Sequence, residues 1–187
     1  MLPFTHLHVH SEYSLLDGAG RVGELVEACA LQGMGALALT DHGAMYGTVD
    51  FYKCAKARGI RPVLGCEVYV APRDHREKDV RADREYAHLV LLARDREGYK
   101  NLMKLVSIGY TQGFYYKPRI DYALLEQHAS GLIALSACLA GDIPRYLAQG
   151  REKEALELAR RLSRTMGEGN FFIELQDHGI PEQKRLN

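Results

Sequence analysis

Along this chain, short apolar runs rich in β-branched residues take turns with longer stretches whose apolar positions recur every third or fourth residue. The first kind reads as strand and the second as amphipathic helix, because side chains alternate faces along a strand but return to one face of a helix at that spacing. The expected strands are "FTHLHV" (4–9), "ALALT" (36–40), "IRPVLGCEVYV" (60–70), "HLVLLA" (88–93), "GLIALSA" (131–137) and "NFFIEL" (170–175). Helices are expected over 21–33, 48–59, 99–110 and 151–167, with Gly33, Gly59 and Gly167 as left-handed C-caps. In the last of these, Ala155, Leu158, Ala159, Leu162 and Met166 form the apolar stripe, and Glu157 and Arg161 are placed to pair on the wet side. Strand, helix, strand, helix predicts parallel strands joined by crossover helices. The long charged segment 71–86 breaks the rhythm and reads as a solvated loop or mobile flap.

Composition narrows the function classes. A chain of 187 residues with 47% hydrophobic content is an ordinary globule with room for one core. With no span-length apolar run and no secretory pattern at its start, it is expected to be cytoplasmic and without a membrane partner. The four cysteines, Cys29, Cys54, Cys66 and Cys138, form no CxxC pair, so they read as packing residues. Formal net charge is zero, so a polyanionic substrate must be gripped locally.

In parallel α/β architectures functional residues collect beyond the carboxyl ends of strands. If 4–10 is a strand, His6, His8 and His10 share one face, with Asp17 in the loop beyond. The second strand runs into Asp41 and His42, the third carries Glu67, the fourth begins at His88, and the fifth leads to Ser136 and Cys138. Imidazoles, carboxylates and a thiol from separate strands share one chemistry, the binding of zinc or manganese, and a bridging carboxylate such as Glu67 favours more than one ion. Asp41 is either a ligand or an acceptor orienting an imidazole; Cys138 is either a ligand or packing. His6 is expected deeper, in a core or supporting role. Asp177 and His178, beside Gly179, read as a turn or cap. Lys117 and Arg119, next to Tyr115 and Tyr116, either grip phosphate and a base or belong to a solvated loop held by Pro118.

The runs "HLHVHSEYSLLDG", "ALTDHG", "GCEVYV", "HLVLLA" and "LSACLAGDI" resemble the PHP (polymerase and histidinol phosphatase) superfamily. "HSEYSLLDG" and "GFYYKPRID" place the likeness with the PHP domains of bacterial replicative DNA polymerase III alpha subunits more than with free-standing phosphatases. The resemblance implies a distorted (β/α)7 TIM-like barrel with up to three zinc or manganese ions. Its ligands would be His8, His10, Asp17, Asp41, His42, Glu67, His88 and Cys138, and His8, His10, Asp41, His42 and Glu67 would be catalytic. The pattern's final Asp-x-His, after a seventh strand, is not found before Asn187, so residues 1–187 are expected to be a PHP domain truncated before that strand, without palm, fingers and thumb or their magnesium. The implied activity is a metal-dependent 3′→5′ proofreading exonuclease on single-stranded DNA 3′ ends. Its implied partners are the rest of the polymerase alpha subunit, a proofreading exonuclease subunit and other replisome subunits. Two alternatives stand beside it: a non-catalytic scaffold that docks a proofreading subunit, and a small-molecule phosphatase of the histidinol phosphatase type.

Overall fold

The computed structural model describes residues 4–15 and 17–187. Its elements, in chain order, are α1 (Val22–Leu31), β1 (Ala36–Leu39), α2 (Thr48–Ala57), β2 (Arg61–Val70), β3 (Ala87–Ala93), α3 (Arg96–Thr111), β4 (Phe114–Tyr115), β5 (Lys117–Ile120), α4 (Tyr122–Gln127), β6 (Leu132–Leu135), α5 (Asp142–Ala148), α6 (Glu152–Met166), β7 (Phe171–Phe172) and α7 (Pro181–Leu186). The strands form one sheet in the order β4-β5-β2-β3-β6-β7, with β1 pairing the first half of β2. Among the described residues this sheet does not close on itself.

The expectation of a wholly parallel sheet is corrected at one main strand. β1, β5, β6 and β7 run with β2, but β3 is antiparallel to both β2 and β6. The reason lies in the connection: β2 and β3 are joined by the loop 71–86, which contains no helix, and without a crossover the chain returns alongside in the opposite direction. Alternation along these strands then divides the sheet into two faces. Cys66, Val68, Val70, Leu89 and Leu91 meet Leu102, Leu105, Leu125, Leu162 and Met166 in the main core, while Val90, Leu92, Ala38 and Leu135 pack on the opposite, inner face. A third cluster joins α1 and α2 to β1 through Val26, Cys29, Leu37, Leu39 and Phe51.

Other expectations shift with tertiary context. Residues 4–10 run extended beside β1 but form no strand: Ala38 and Thr40 donate main-chain bonds to His6 and Val9, yet the Val9 N–H turns to the Thr40 hydroxyl, so no continuous ladder forms. Residues 114–120, expected as a loop, are the β4–β5 hairpin, and β7 is only two residues long. The stripe on α6 faces the core as expected, but Arg161 pairs with Glu126 on α4 at 2.9 Å, not with Glu157. Segment 71–86 is irregular, as its composition suggests, but it is fastened down. Arg119 is fully buried and donates to the carbonyls of Gly113, Asp83, His75 and Glu77, and Asp121 accepts from both the His75 main chain and its ring.

Candidate metal centre

Three elements bring four imidazoles to one buried carboxylate on a fourth. Segment 4–10 is latched to the end of β1 by two adjacent residues. Thr40 exchanges hydrogen bonds with the Val9 main chain, and Asp41 accepts from the Ser11 N–H at 2.6 Å and the Ser11 hydroxyl at 2.9 Å. With Val9 packed toward α1 and α2, its neighbours His8 and His10 face inward. His42 follows β1, where Gly43 turns at φ +60; a Cβ there would come within 2.8 Å of the Tyr69 ring and 2.9 Å of Pro118. Glu67 lies on the inner face of β2, and His88 on the same face of β3, its residue paired with Tyr69.

The reversed direction of β3 explains His88. Being antiparallel, β3 starts where β2 and β6 end, so a residue at its beginning reaches the mouth that other strands reach with their last residues. The rule that site residues follow strands fails here for a geometric reason.

The arrangement is tight. His8 Nε2, His10 Nε2 and His42 Nδ1 lie 3.0, 2.8 and 3.2 Å from Glu67 Oε2, and His88 Nδ1 lies 2.9 Å from Oε1. Asp17 Oδ2 stands 2.7 Å from His42 Nε2 and 3.5 Å from His10 Nδ1. Three overlapping groups, His8–His10–Glu67, His10–Asp17–His42 and His42–Glu67–His88, each present donor atoms within 4.8 Å of one another and could each hold a metal ion. Although burial works the other way, the imidazoles of His10, His8 and His88 hold the Glu67 carboxyl far below the usual range. His8, conversely, is pushed up to about 10 against the effect of burial, because the Glu174 and Glu67 carboxylates flank it on both sides. At His42 burial wins and lowers its pKa. Yet His10 Nε2, His42 Nδ1 and Glu67 Oε2 are buried with no partner in hydrogen-bonding geometry. Buried polar atoms are rarely left so, and a divalent cation satisfies nitrogen and carboxylate donors together.

The remaining candidates fall in different places. Cys138 lies at the edge, its Sγ 3.9 Å from Glu67 Oε1, with its thiol pKa raised by burial. Asp41 is buried behind the cluster with both oxygens turned to Ser11, the arrangement of a residue that positions the histidine segment. His6 is exposed and meets Phe4 edge-on, not deeper in the core as expected, because its partner face opens onto a cleft between residues 4–8 and 172–178. Arg119 is also corrected: four of its N–H groups serve main-chain carbonyls, so it fastens a loop and does not face a substrate. Lys117 does stand near the mouth, with Nζ 5.4 Å from the centroid of Tyr69, whose ring stacks on His42 at 5.6 Å. Asp177 and His178 form the anticipated turn: Asp177 accepts from Gly179, and His178 is held by Gln183.

Glu174 and Gln176 escaped the sequence reading. Glu174 Oε1 lies 2.7 Å from His8 Nδ1 and accepts from Gln176 Nε2, while the Glu174 N–H donates to Ser136. Had the strand been ended at Phe172, Glu174 would have met the same rule that found Asp41, but the apolar "FFIEL" hid the carboxylate inside the expected strand.

Comparison with known proteins adds the lineage. The PHP domain family matches residues 6–178. DNA polymerase III subunit alpha of Treponema pallidum is 51% identical over 99% of this chain, and that of Thermus aquaticus 47% identical over all of it; the chain spans 16% of the length of each. A crystal structure of a Bifidobacterium adolescentis protein described as a metal-dependent phosphoesterase superposes on the whole chain, and on 82% of its own, with TM-score 0.58 at 11% identity, a likeness of fold.

Proposed function

We propose, from the premise that this chain belongs to the PHP domain family, that its imidazole–carboxylate centre binds zinc or manganese and hydrolyses phosphodiester bonds at the 3′ end of DNA within a replicative polymerase. The observation that carries this reading is the set of buried donor atoms on His10, His42 and Glu67, in which both imidazole nitrogens crowd within 2.8–3.2 Å of Glu67 Oε2 without forming aligned hydrogen bonds. Such a set is costly to maintain unless a cation completes it.

His8, His10, Asp17, His42, Glu67 and His88 would hold the ions, with Cys138 at the rim. Bound there, divalent ions supply Lewis-acid polarisation of a phosphoryl oxygen and a lowered pKa for water. The chain's own residues do the positioning. Glu174 takes the Nδ1 side of His8, leaving Nε2 as the inward donor and fixing the ring's orientation. Ser11 and Asp41 hold the strand-like segment so that His8 and His10 address the same carboxylate. Tyr69 shields one side of His42, and Lys117 above it offers a cation to a substrate phosphate. The relatives named polymerase subunits favour DNA as the substrate over a small phosphate monoester.

The test is a side-by-side assay of the manganese-loaded chain on a 3′-labelled single-stranded oligonucleotide and on an aminoalkyl phosphate. Release of single nucleotides from the 3′ end, lost on His8→Ala/His10→Ala, supports the reading. Turnover of the monoester alone would replace it with the phosphatase alternative, and no turnover with no bound metal would leave a scaffold.

A further inference from the structure

Charge is distributed unevenly about the metal centre. On the His8 side stand Glu174 and Gln176, and Asp17 sits between His10 and His42, 2.7 Å from His42 Nε2. Past Asp17, the outer neighbours of His42 and His88 are aromatic and cationic. Tyr69 stacks on His42, Lys117 lies over Tyr69, and Tyr86 meets Tyr69 edge-on at 4.9 Å while lying parallel to His88, at 3° with centroids 6.0 Å apart. Beyond His88 opens a cleft of about 720 Å³ lined by Arg84, Glu85, Tyr86, His88, Arg145 and Gln149. Its two arginines outweigh one acid. Arg145 is half-buried and spends one N–H on the Tyr86 carbonyl at 2.7 Å, which fixes the guanidinium at the rim and leaves further donors free. Arg84, also in the lining, is exposed.

From this geometry we infer that the cleft is a nucleotide subsite of the metal centre. Its arginines, Arg84 and Arg145, take a phosphate of single-stranded DNA, with a base laid against Tyr86. This rests on the hydrolase reading for its substrate and deepens it by giving the strand a side of approach. A guanidinium matches phosphate oxygens in a planar fork, and a base gains stacking energy on an aromatic face whatever its identity. The volume suits one nucleotide. A polyanion approaching from the His8 side would meet Glu174 first; from this side it meets cations.

The experiment uses the full chain and a short fluorescein-labelled oligothymidylate. Binding is read by anisotropy in chelator, so that neither turnover nor bound cation contributes, and KM and kcat are measured separately in manganese. Arg84→Ala is expected to weaken binding and raise KM about fivefold, with kcat within about twofold and a shallower salt dependence. Arg84→Ala/Arg145→Gln should weaken binding further, and Lys53→Ala, on the exposed side of α2, should change nothing. Unchanged affinity in Arg84→Ala, or an oligonucleotide that the parent chain does not bind, overturns the subsite. Should the double variant fail to fold by circular dichroism, Arg84→Ala decides alone, since its side chain is exposed. Binding that depends on Arg84 without any hydrolysis would sink the hydrolase reading and keep the cleft; hydrolysis indifferent to Arg84 would do the reverse.

Discussion

Around Glu67 four imidazoles crowd in and leave inward atoms without partners, whereas around Asp121 and Asp83 almost every polar atom is taken. Both regions contain histidine and carboxylate, and a second donor group, Asp74–His75–Asp121, even has metal-ligand spacing. There, however, Asp121 accepts from the N–H groups of Leu124 and His75 and from the His75 ring, and Asp74 is occupied by Arg76. Only His75 Nε2 lacks a partner. Residue types alone do not separate a metal centre from a structural knot; the degree to which lone pairs are already used does.

Substitutions in the two regions should have opposite consequences. Glu67→Gln should remove at least one metal ion per chain by elemental analysis and cut hydrolysis by about 100-fold or more, with a comparatively small change in the urea midpoint. Arg119→Met should do the opposite: about 3 kcal/mol of stability lost in urea denaturation, because buried carbonyls lose their donors, with metal content retained in the folded fraction. If Arg119→Met empties the metal centre while the fold stands, the two regions are not independent.

Milder substitutions should give smaller effects. Glu174→Gln keeps the size of the side chain but weakens the hold on His8, and should lower metal affinity by about 10-fold in competition with a chromophoric chelator. On the structural side the effect is read with acid. Burial raises the Asp121 pKa but hydrogen bonds from His75 and Leu124 bring it below its ordinary value of 3.8, and the Arg73 bond does the same for Asp83. Carboxyls depressed on folding stabilise the fold above the unfolded value and lose that contribution as pH falls through the folded one. Amide exchange across residues 72–86 should therefore accelerate below about pH 3.8, beyond the intrinsic trend, before the main core opens. The smallest effect belongs to Ala137, between Ser136 and Cys138, which holds φ +63. Ala137→Gly relieves that conformation and should shift the urea midpoint upward by at most about 1 kcal/mol in stability.

Much of this was legible in one dimension. The alternation His8-x-His10 and the "TDHG" that follows β1 announced donors at one end of a sheet, because side-chain direction is set by local geometry. Helix stripes such as Ala155–Leu162–Met166 and the positive-φ glycines Gly33 and Gly59 are equally local. Glu174 was harder, since a two-residue strand has no periodicity to mark where it ends. Strand direction, the partners of Arg119 and the crowding at Glu67 had no local mark at all. A basic residue beside tyrosines looks the same whether it faces a phosphate or four carbonyls, and His88 at the start of its strand is out of place until β3 is known to run backwards. Donor identity is a property of the chain; which donors remain unsatisfied depends on neighbours distant in sequence, so only folding in three dimensions decides it.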